Sequence, residues 1–290
     1  LKDIKIKHIN NRSNSQISSN LLKYDSIHGK FNQDIKFGDK FIKIGKQIIS
    51  FSQETNIEDI NWSKHGVDYV LECTGKFNDK KLSVKHVDAG AKKVLISAPA
   101  NAVDKTAVFG VNHLELKPEH TVISNASCTT NALAPMMKAL NDTIGIDTAF
   151  MTTIHSYTGD QPTLDRNHKD LYRSRSAAQS IIPTTTGAAI SVGEVIPQLK
   201  GRIDGIAMRV PTPNVSLIEL VFCTKKNLTI NAINNSFEKA SKSKLKGVLN
   251  ITKEKLVSVD FNHNSHSAIV DASLTNTIGK NMGKISAWYD

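Results

Sequence analysis

Cys128 lies in SNASCTTNALAP, residues 124–135, among small hydroxyl and amide side chains just ahead of an apolar, helix-like pattern. A free thiol is mostly protonated at neutral pH, so a nucleophilic cysteine needs help to lose its proton. A helix N-terminus offers partial positive charge and unpaired N–H groups, and a histidine offers a proton acceptor. The pattern after Cys128 supplies the first. His155, at the end of the strand-like TAFMTTIH and the edge of the polar run SYTGDQPTLDRNHKD, is placed to supply the second. PTTTGAA, residues 183–189, sets three hydroxyls and a glycine before another helical pattern, which suits an anion site at a helix N-terminus. AMRVPTPNVS ends a strand on Arg209, whose planar fork can grip phosphate or carboxylate at two points. Each feature has a plainer reading: a filler cysteine, a hydrogen-bonded histidine, a threonine cap, an ion-paired arginine. Together they describe a thiol, a base and two means of holding phosphate. Such a thiol can add to an aldehyde to give a hemithioacetal. With a nicotinamide ring beside it, hydride leaves, and the remaining thioester is open to bound phosphate.

The elements that must position these residues read as two domains. VDYVLECTG and AKKVLISAP are continuous apolar runs, and KFNDKKLSVKHVDAG between them predicts a helix closing at Gly90. Strand–helix–strand with fully apolar strands indicates a parallel, helix-covered sheet. Ligands of such sheets bind at the carboxyl ends of the strands, which places Thr74, Gly75, Ser97 and Ala98 at a site. FIKIG and QIISF are expected to pair as a hairpin through Gly45 and Lys46, and NNRSNSQISSN to be a surface loop. HTVISN is a third strand leading to Cys128. Beyond it Leu133, Met136, Met137 and Leu140 follow helical spacing, with Pro135 implying a kinked or late-starting first turn. TAFMTTIH, IDGIAMRV, VSLIELVFC, LVSVDF and HSAIVDA then predict a largely antiparallel sheet, with TINAINNSFEKASKS a helix on one face. The expected class is α/β: a nucleotide-type domain over residues 1–126 and a mixed α+β domain over 127–290.

Composition narrows the classes. The 290 residues carry a net charge of +10, from 37 Lys and Arg against 27 Asp and Glu. The basic residues are scattered apart from Lys239 to Lys246, which reads as a solvated helix face, so nucleic acid is not an expected partner. No apolar run is long enough to cross a bilayer, and no secretory signal is visible at the start. Three cysteines, Cys73, Cys128 and Cys223, are odd in number and far apart. That argues for a reducing, cytoplasmic setting and against a disulfide framework or a metal site.

LLKYDSIHGKF, LECTGKF, KKVLISAPA, FGVNHLELKPEHTVISNASCTTNALAP, IHSYTGDQPTLD, IIPTTTGAAISVGEVIPQLKGRIDGIAMRVPTPNVS and the closing WYD run through nearly the whole chain. In those stretches, and in their order, the sequence resembles the phosphorylating glyceraldehyde-3-phosphate dehydrogenases. The resemblance implies a Rossmann-like NAD(P)-binding domain followed by a catalytic domain with a mainly antiparallel sheet. It casts Cys128 as nucleophile and His155 as general base. Thr158 and Arg209 match positions that bind the substrate's phosphate. Ser127, Thr129, Thr186 and Gly187 match positions around the attacking inorganic phosphate. Asn11, Thr74, Gly75, Phe77, Ser97 and Ala98 match positions along the dinucleotide. The loop from Tyr157 to Ile182 resembles a segment that packs against a neighbouring subunit, implying a homotetramer.

Departures from the family pattern carry their own expectations. The Gly-rich G-x-G-R-I-G turn with its strand and helix is not in the sequence, nor is the C-terminal helix, so a fragment lacking both ends is expected, one that folds and holds cofactor poorly. The family's Asn-Asp at the next strand end is Asn10–Asn11 here. A carboxylate there accepts ribose hydroxyls and repels a 2′-phosphate; neutral Asn11 followed by Arg12 weakens both effects and leaves NAD and NADP open. Ala132 stands where a second cysteine is common, so Cys128 acts alone. Erythrose-4-phosphate dehydrogenase, on the same scaffold, and a binding protein that has lost its cofactor are the rival readings.

Overall fold

A computed structural model describes residues 4–290. Two compact units emerge: one comprises the chain up to Lys105 together with Lys117–Ser124, the other Thr106–Leu116 and Asn125–Asp290. The excursion over 106–116, expected in the first domain, belongs to the second unit because Val108 is buried in that unit's core with Leu245 and Val248.

In chain order the first unit holds β1 (His8–Asn10), α1 (Ser15–Lys23), β2 (Tyr24–Asp25), β3 (Gly29–Lys30), β4 (Ile35–Gly38), β5 (Phe41–Ile44), β6 (Gln47–Ser52), β7 (Tyr69–Glu72), α2 (Lys80–Ser83), α3 (Lys85–Asp88), β8 (Lys93–Ile96), β9 (Lys105–Thr106) and β10 (Val122–Ser124). Two four-stranded sheets carry it, in the orders β1-β6-β5-β4 and β7-β8-β10-β9. β5 and β6 form the hairpin expected around Gly45 and Lys46, with Ile44 opposite Gln47. β7, β8 and β10 are parallel neighbours, and Val70, Val94, Ile96 and Val122 pack with Trp62 as their core. The helix expected between β7 and β8 is two short helices, α2 and α3, meeting at Val84. Gly90 closes them at φ +108°, and a Cβ there would lie 2.0 Å from Ser63 Oγ, so only glycine fits.

Half of the Asn/Ser-rich stretch is not a loop. Asn14 Oδ1 accepts from Ile17 N at 2.9 Å and starts α1; the asparagine that reads as a loop former is an N-cap.

The second unit holds α4 (Cys128–Thr143), β11 (Thr148–Ser156), β12 (Ile182–Thr185), α5 (Ala188–Val195), β13 (Ile203–Val210), β14 (Ser216–Cys223), α6 (Ile230–Ser241), β15 (Leu249–Thr252), β16 (Ala268–Asp271), β17 (Asn276–Ile278) and β18 (Met282–Tyr289). Its sheet runs β12-β13-β11-β14-β18-β16-β15, with β17 on β18. Pairings are antiparallel except β11 with β13 and β15 with β16. Leu133, Met136, Met137 and Leu140 of α4 are fully buried in its core.

Two expectations are corrected here. α4 does not start late: it begins at Cys128 and runs through Pro135, because Ser127 Oγ accepts from Thr130 N at 3.0 Å and caps the first turn. LVSVDF is not a strand: Ser258–Phe261 is a 3₁₀ turn, closed by Val257 N donating to Asp260 Oδ2 at 2.8 Å.

Candidate active site

Helix capping places the thiol. Ser127 takes the N-cap of α4, so Cys128 occupies the first helical position, exposed, beside N–H groups that have no partner inside the helix. β11 brings His155 to the same place. The imidazole Nε2 lies 3.3 Å from Cys128 Sγ, while the residue as a whole is 7% exposed.

The other imidazole nitrogen, Nδ1, is 2.7 Å from the Ser156 carbonyl oxygen and 2.9 Å from Arg209 Nη1. β11 and β13 run parallel with His155 directly opposite Arg209, which explains the juxtaposition. Arg209 Nη1 also donates to Ser156 O at 2.8 Å and approaches Thr158 Oγ1 at 3.5 Å. Burial and the Arg209 guanidinium push the His155 pKa down to about 4. The ring is therefore a neutral base at physiological pH. A proton on Nδ1 donated to Ser156 O leaves the Nε2 lone pair facing the thiol.

Arg209 is itself unusual. Burial, and the nearby charge of Arg173, lower its pKa. Its Nε is buried without a hydrogen-bond partner, and its Nη1 donates to a carbonyl and a hydroxyl rather than to a carboxylate. A half-buried guanidinium with spare donors is built to receive an anion.

The remaining expected substrate residues divide. Thr158 joins Arg209. Ser127 and Thr129 flank the thiol, but their hydroxyls are engaged inside the protein, Ser127 as the cap and Thr129 with Tyr289 OH at 2.9 Å. Thr186 and Gly187 lie at the N-terminus of α5, where Thr186 Oγ1 accepts from Ala188 N at 3.2 Å. Among the described residues no hydrogen bond joins that turn to the Cys128–His155 pair.

Three participants escape the sequence reading. Arg173, in the 157–181 loop, is held by Asp160 at 2.9 Å and Thr184 at 3.0 Å, and its field depresses both His155 and Arg209. Tyr289 sets its ring edge-on to His155, centroids 5.9 Å apart. Val215 adopts φ +62°, a real outlier for a β-branched residue, and its carbonyl accepts from Ser156 Oγ at 2.9 Å. No local residue pattern marks any of them.

In the first unit the expected cofactor residues gather at the carboxyl ends of β7 and β8. Glu72, 4% exposed, organises the turn: its Oε1 accepts from Thr74 N at 2.7 Å and Thr74 Oγ1 at 2.5 Å. Its backbone carbonyl accepts from Ser97 N at 3.0 Å. Its Oε2 faces His86 Nε2 at 3.0 Å, and Trp62 Nε1 donates to His86 Nδ1 at 3.2 Å. Phe77 packs edge-on against His86, and Ala98 O accepts from Ser124 Oγ at 2.7 Å. Gly75 has φ +72° and nothing within 4 Å of where a Cβ would stand, which leaves open backbone for a dinucleotide to approach. Asn11 is apart from this group, at the carboxyl end of β1 on the other sheet, where its Nδ2 donates to Ser18 Oγ at 3.0 Å.

Comparison with known proteins agrees with both halves of this description. Residues 127–290 match the family described as glyceraldehyde 3-phosphate dehydrogenase, C-terminal domain, and residues 1–80 match the NAD binding domain of the same dehydrogenase. The chain belongs to the glyceraldehyde-3-phosphate dehydrogenase family. It is 49% identical over 288 residues to glyceraldehyde-3-phosphate dehydrogenase of Cereibacter sphaeroides, covering 99% of this chain and 86% of that protein. The dehydrogenases of Xanthobacter flavus and Geobacillus stearothermophilus are each 47% identical, with the same coverage. As in that family, a Rossmann-like unit with parallel strands for NAD precedes a catalytic unit with a largely antiparallel sheet. No group of three His, Cys, Asp or Glu side chains able to hold a metal occurs among the described residues, and none of their helices is long and apolar enough to cross a membrane.

Proposed function

We propose that this chain carries out the phosphorylating oxidation of D-glyceraldehyde 3-phosphate to 1,3-bisphosphoglycerate, with NAD and inorganic phosphate as co-substrates. The observation that carries the proposal is Cys128 Sγ at a helix N-terminus, 3.3 Å from the Nε2 of a buried, neutral His155.

His155 Nε2 takes the thiol proton, and the sulfur forms a C–S bond with the aldehyde carbon as the carbonyl π pair moves onto oxygen. The first-turn N–H groups of α4 and the protonated imidazole face that oxygen. The resulting hemithioacetal hydroxyl returns its proton to Nε2 in the oxidation step. NAD, when bound, would supply the hydride acceptor for this oxidation of the hemithioacetal to a thioester, and Thr74, Gly75, Phe77, Ser97, Ala98 and Asn11 are the residues that would hold it. Phosphate oxygen then attacks the thioester carbon, the C–S bond breaks and the thiolate is regenerated. Arg209 with Thr158 holds the substrate's own phosphate, and Ser127, Thr129, Thr186 and Gly187 line the approach of inorganic phosphate, chiefly through backbone N–H groups at the starts of α4 and α5.

An assay of NADH formation with glyceraldehyde 3-phosphate and with erythrose 4-phosphate tests the substrate. A higher kcat/KM for the three-carbon sugar is expected, and a preference for the four-carbon sugar would overturn it. NADP is a second acceptor on this reading, because Asn11 is a neutral amide and Arg12 the charge beside it. Asn11→Asp should then weaken NADP binding in a calorimetric titration while leaving NAD binding intact; equal affinities for NADP before and after would refute it.

The working form we propose is a cytoplasmic homotetramer. Leu164, Leu171, Tyr172 and Ile181 are all exposed on the 157–181 loop, an apolar surface suited to a second copy. Sedimentation equilibrium at the mass of four chains supports this, and a monomer mass sinks it.

A further inference from the structure

One buried titratable group outside the mechanism reaches both elements that carry the thiol–imidazole pair. Tyr289 ends β18 and is 2% exposed. Its hydroxyl lies 2.9 Å from Thr129 Oγ1 and 2.7 Å from Thr153 Oγ1. Thr129 follows the nucleophile in the first turn of α4, its Oγ1 3.9 Å from Cys128 Sγ. Thr153 precedes His155 by two residues on β11, so the two side chains share a face of the sheet. Ser216 stands opposite Tyr289 in the pairing of β14 with β18.

A separate set of bonds orders the base. Ser156 N donates to Ser216 Oγ at 3.1 Å, and Ser156 O is the carbonyl against which His155 Nδ1 and Arg209 rest. Tyr289 therefore bridges the first turn of α4 and β11 through Thr129 and Thr153, the two elements whose side chains meet across the 3.3 Å gap between Cys128 and His155. Burial and the neighbouring Cys128 hold the phenol pKa up at about 12, so the hydroxyl keeps its proton and serves as one donor and two acceptor sites. Volume alone does not call for this group. Phenylalanine would fill the same space against the His155 ring, but it would leave the buried Thr129 and Thr153 hydroxyls without this partner.

We infer that Tyr289 is a positioning residue, fixing the Cys128 Sγ–His155 Nε2 separation by tying α4 to β11 through its hydroxyl. The inference rests on the reading of Cys128 and His155 as nucleophile and base. Misplacing reacting groups by about 1 Å can cost on the order of a hundred-fold in rate, and loss of one tether should cost a fraction of that.

The test is Tyr289→Phe in the full-length enzyme, with Thr153→Val as a companion. Iodoacetamide alkylation of Cys128 is followed from pH 5 to 10, alongside kcat, KM and Tm. Arg209 and Arg173, the other charged groups facing the pair, are unchanged in both variants. Tyr289→Phe should slow Cys128 alkylation at pH 7 by about ten-fold, move the alkylation profile to higher pH, and lower kcat by a similar factor with little change in aldehyde KM. Thr153→Val should act in the same direction, more weakly. A Tyr289→Phe enzyme with the original alkylation profile and kcat overturns the inference. If that variant fails to fold, an unmoved profile in Thr153→Val overturns it instead. Failure of the underlying reading looks different: in the unmodified enzyme Cys128 would then alkylate no faster than Cys73 or Cys223.

Discussion

Each unit buries one histidine, His86 in α3 of the first and His155 near the end of β11 in the second, and the two do different things. His86, 3% exposed, has a carboxylate on one nitrogen and an indole N–H on the other. His155, 7% exposed, has an arginine and a carbonyl on one nitrogen and a thiol on the other. Burial is nearly equal; the partners decide. Glu72 satisfies His86 and spends its second oxygen on Thr74, so that network stiffens a turn. His155 sits in a field of cations that keeps its proton off, with its free nitrogen aimed at an exposed sulfur, so it is held ready to accept one.

The sharpest way to break the contrast is at the sulfur. Cys128→Ser should lower kcat by about four orders of magnitude or more, with Tm unchanged because the side chain is exposed. Retained turnover would reassign the nucleophile. His155→Asn comes next, with a loss of about 10²- to 10⁴-fold in kcat and the fold kept. Glu72→Ala should do the reverse in the first unit. Removing the carboxylate leaves the buried His86 N–H and the Thr74 donors without their acceptor, at about 1–3 kcal/mol of stability, read as a fall in Tm, while kcat at saturating cofactor changes far less than in His155→Asn. An equal loss of kcat in the two variants would erase the distinction.

Much of this site is legible in the residues because helix and strand ends mark themselves. Cys128, His155 and Arg209 each close or open an apolar pattern, and a polar residue at such an end faces a strand terminus where ligands gather. Glu72 reads as the last member of a strand, yet its partner His86 belongs to a helix 14 residues on, and no period predicts that they meet. Tyr289 is farther still, reaching Thr129 across 160 positions. Asn14 and Asp260 mislead for a local reason: one side-chain hydrogen bond turns a polar stretch into a helix and an apolar alternation into a 3₁₀ turn.

A smaller effect follows from protonation. The folded-state pKa of His155, about 4, lies below its ordinary value of 6.5, so the unfolded chain binds the extra proton first as pH falls. Its contribution is fully present above pH 6.5 and is lost between there and about pH 4, up to roughly 3 kcal/mol. His8, in the first unit, is lowered to about 4 as well, by burial and His65. Thermal melts from pH 7 to pH 4.5 should therefore show stability falling with pH, less steeply in His155→Asn, with His8 and, toward the acid end, Glu72 supplying the residual slope. An identical slope in that variant would contradict the buried, neutral imidazole.

The covalent intermediate itself gives the most direct measurement. The enzyme, mixed with glyceraldehyde 3-phosphate and NAD in phosphate-free buffer and quenched in acid, is digested and its cysteine peptides are weighed by mass spectrometry. A phosphoglyceroyl thioester on the peptide containing Cys128, discharged when phosphate is added before the quench, is the predicted result. An adduct on Cys73 or Cys223, or none on Cys128 while NADH forms, would contradict the assignment of the nucleophile.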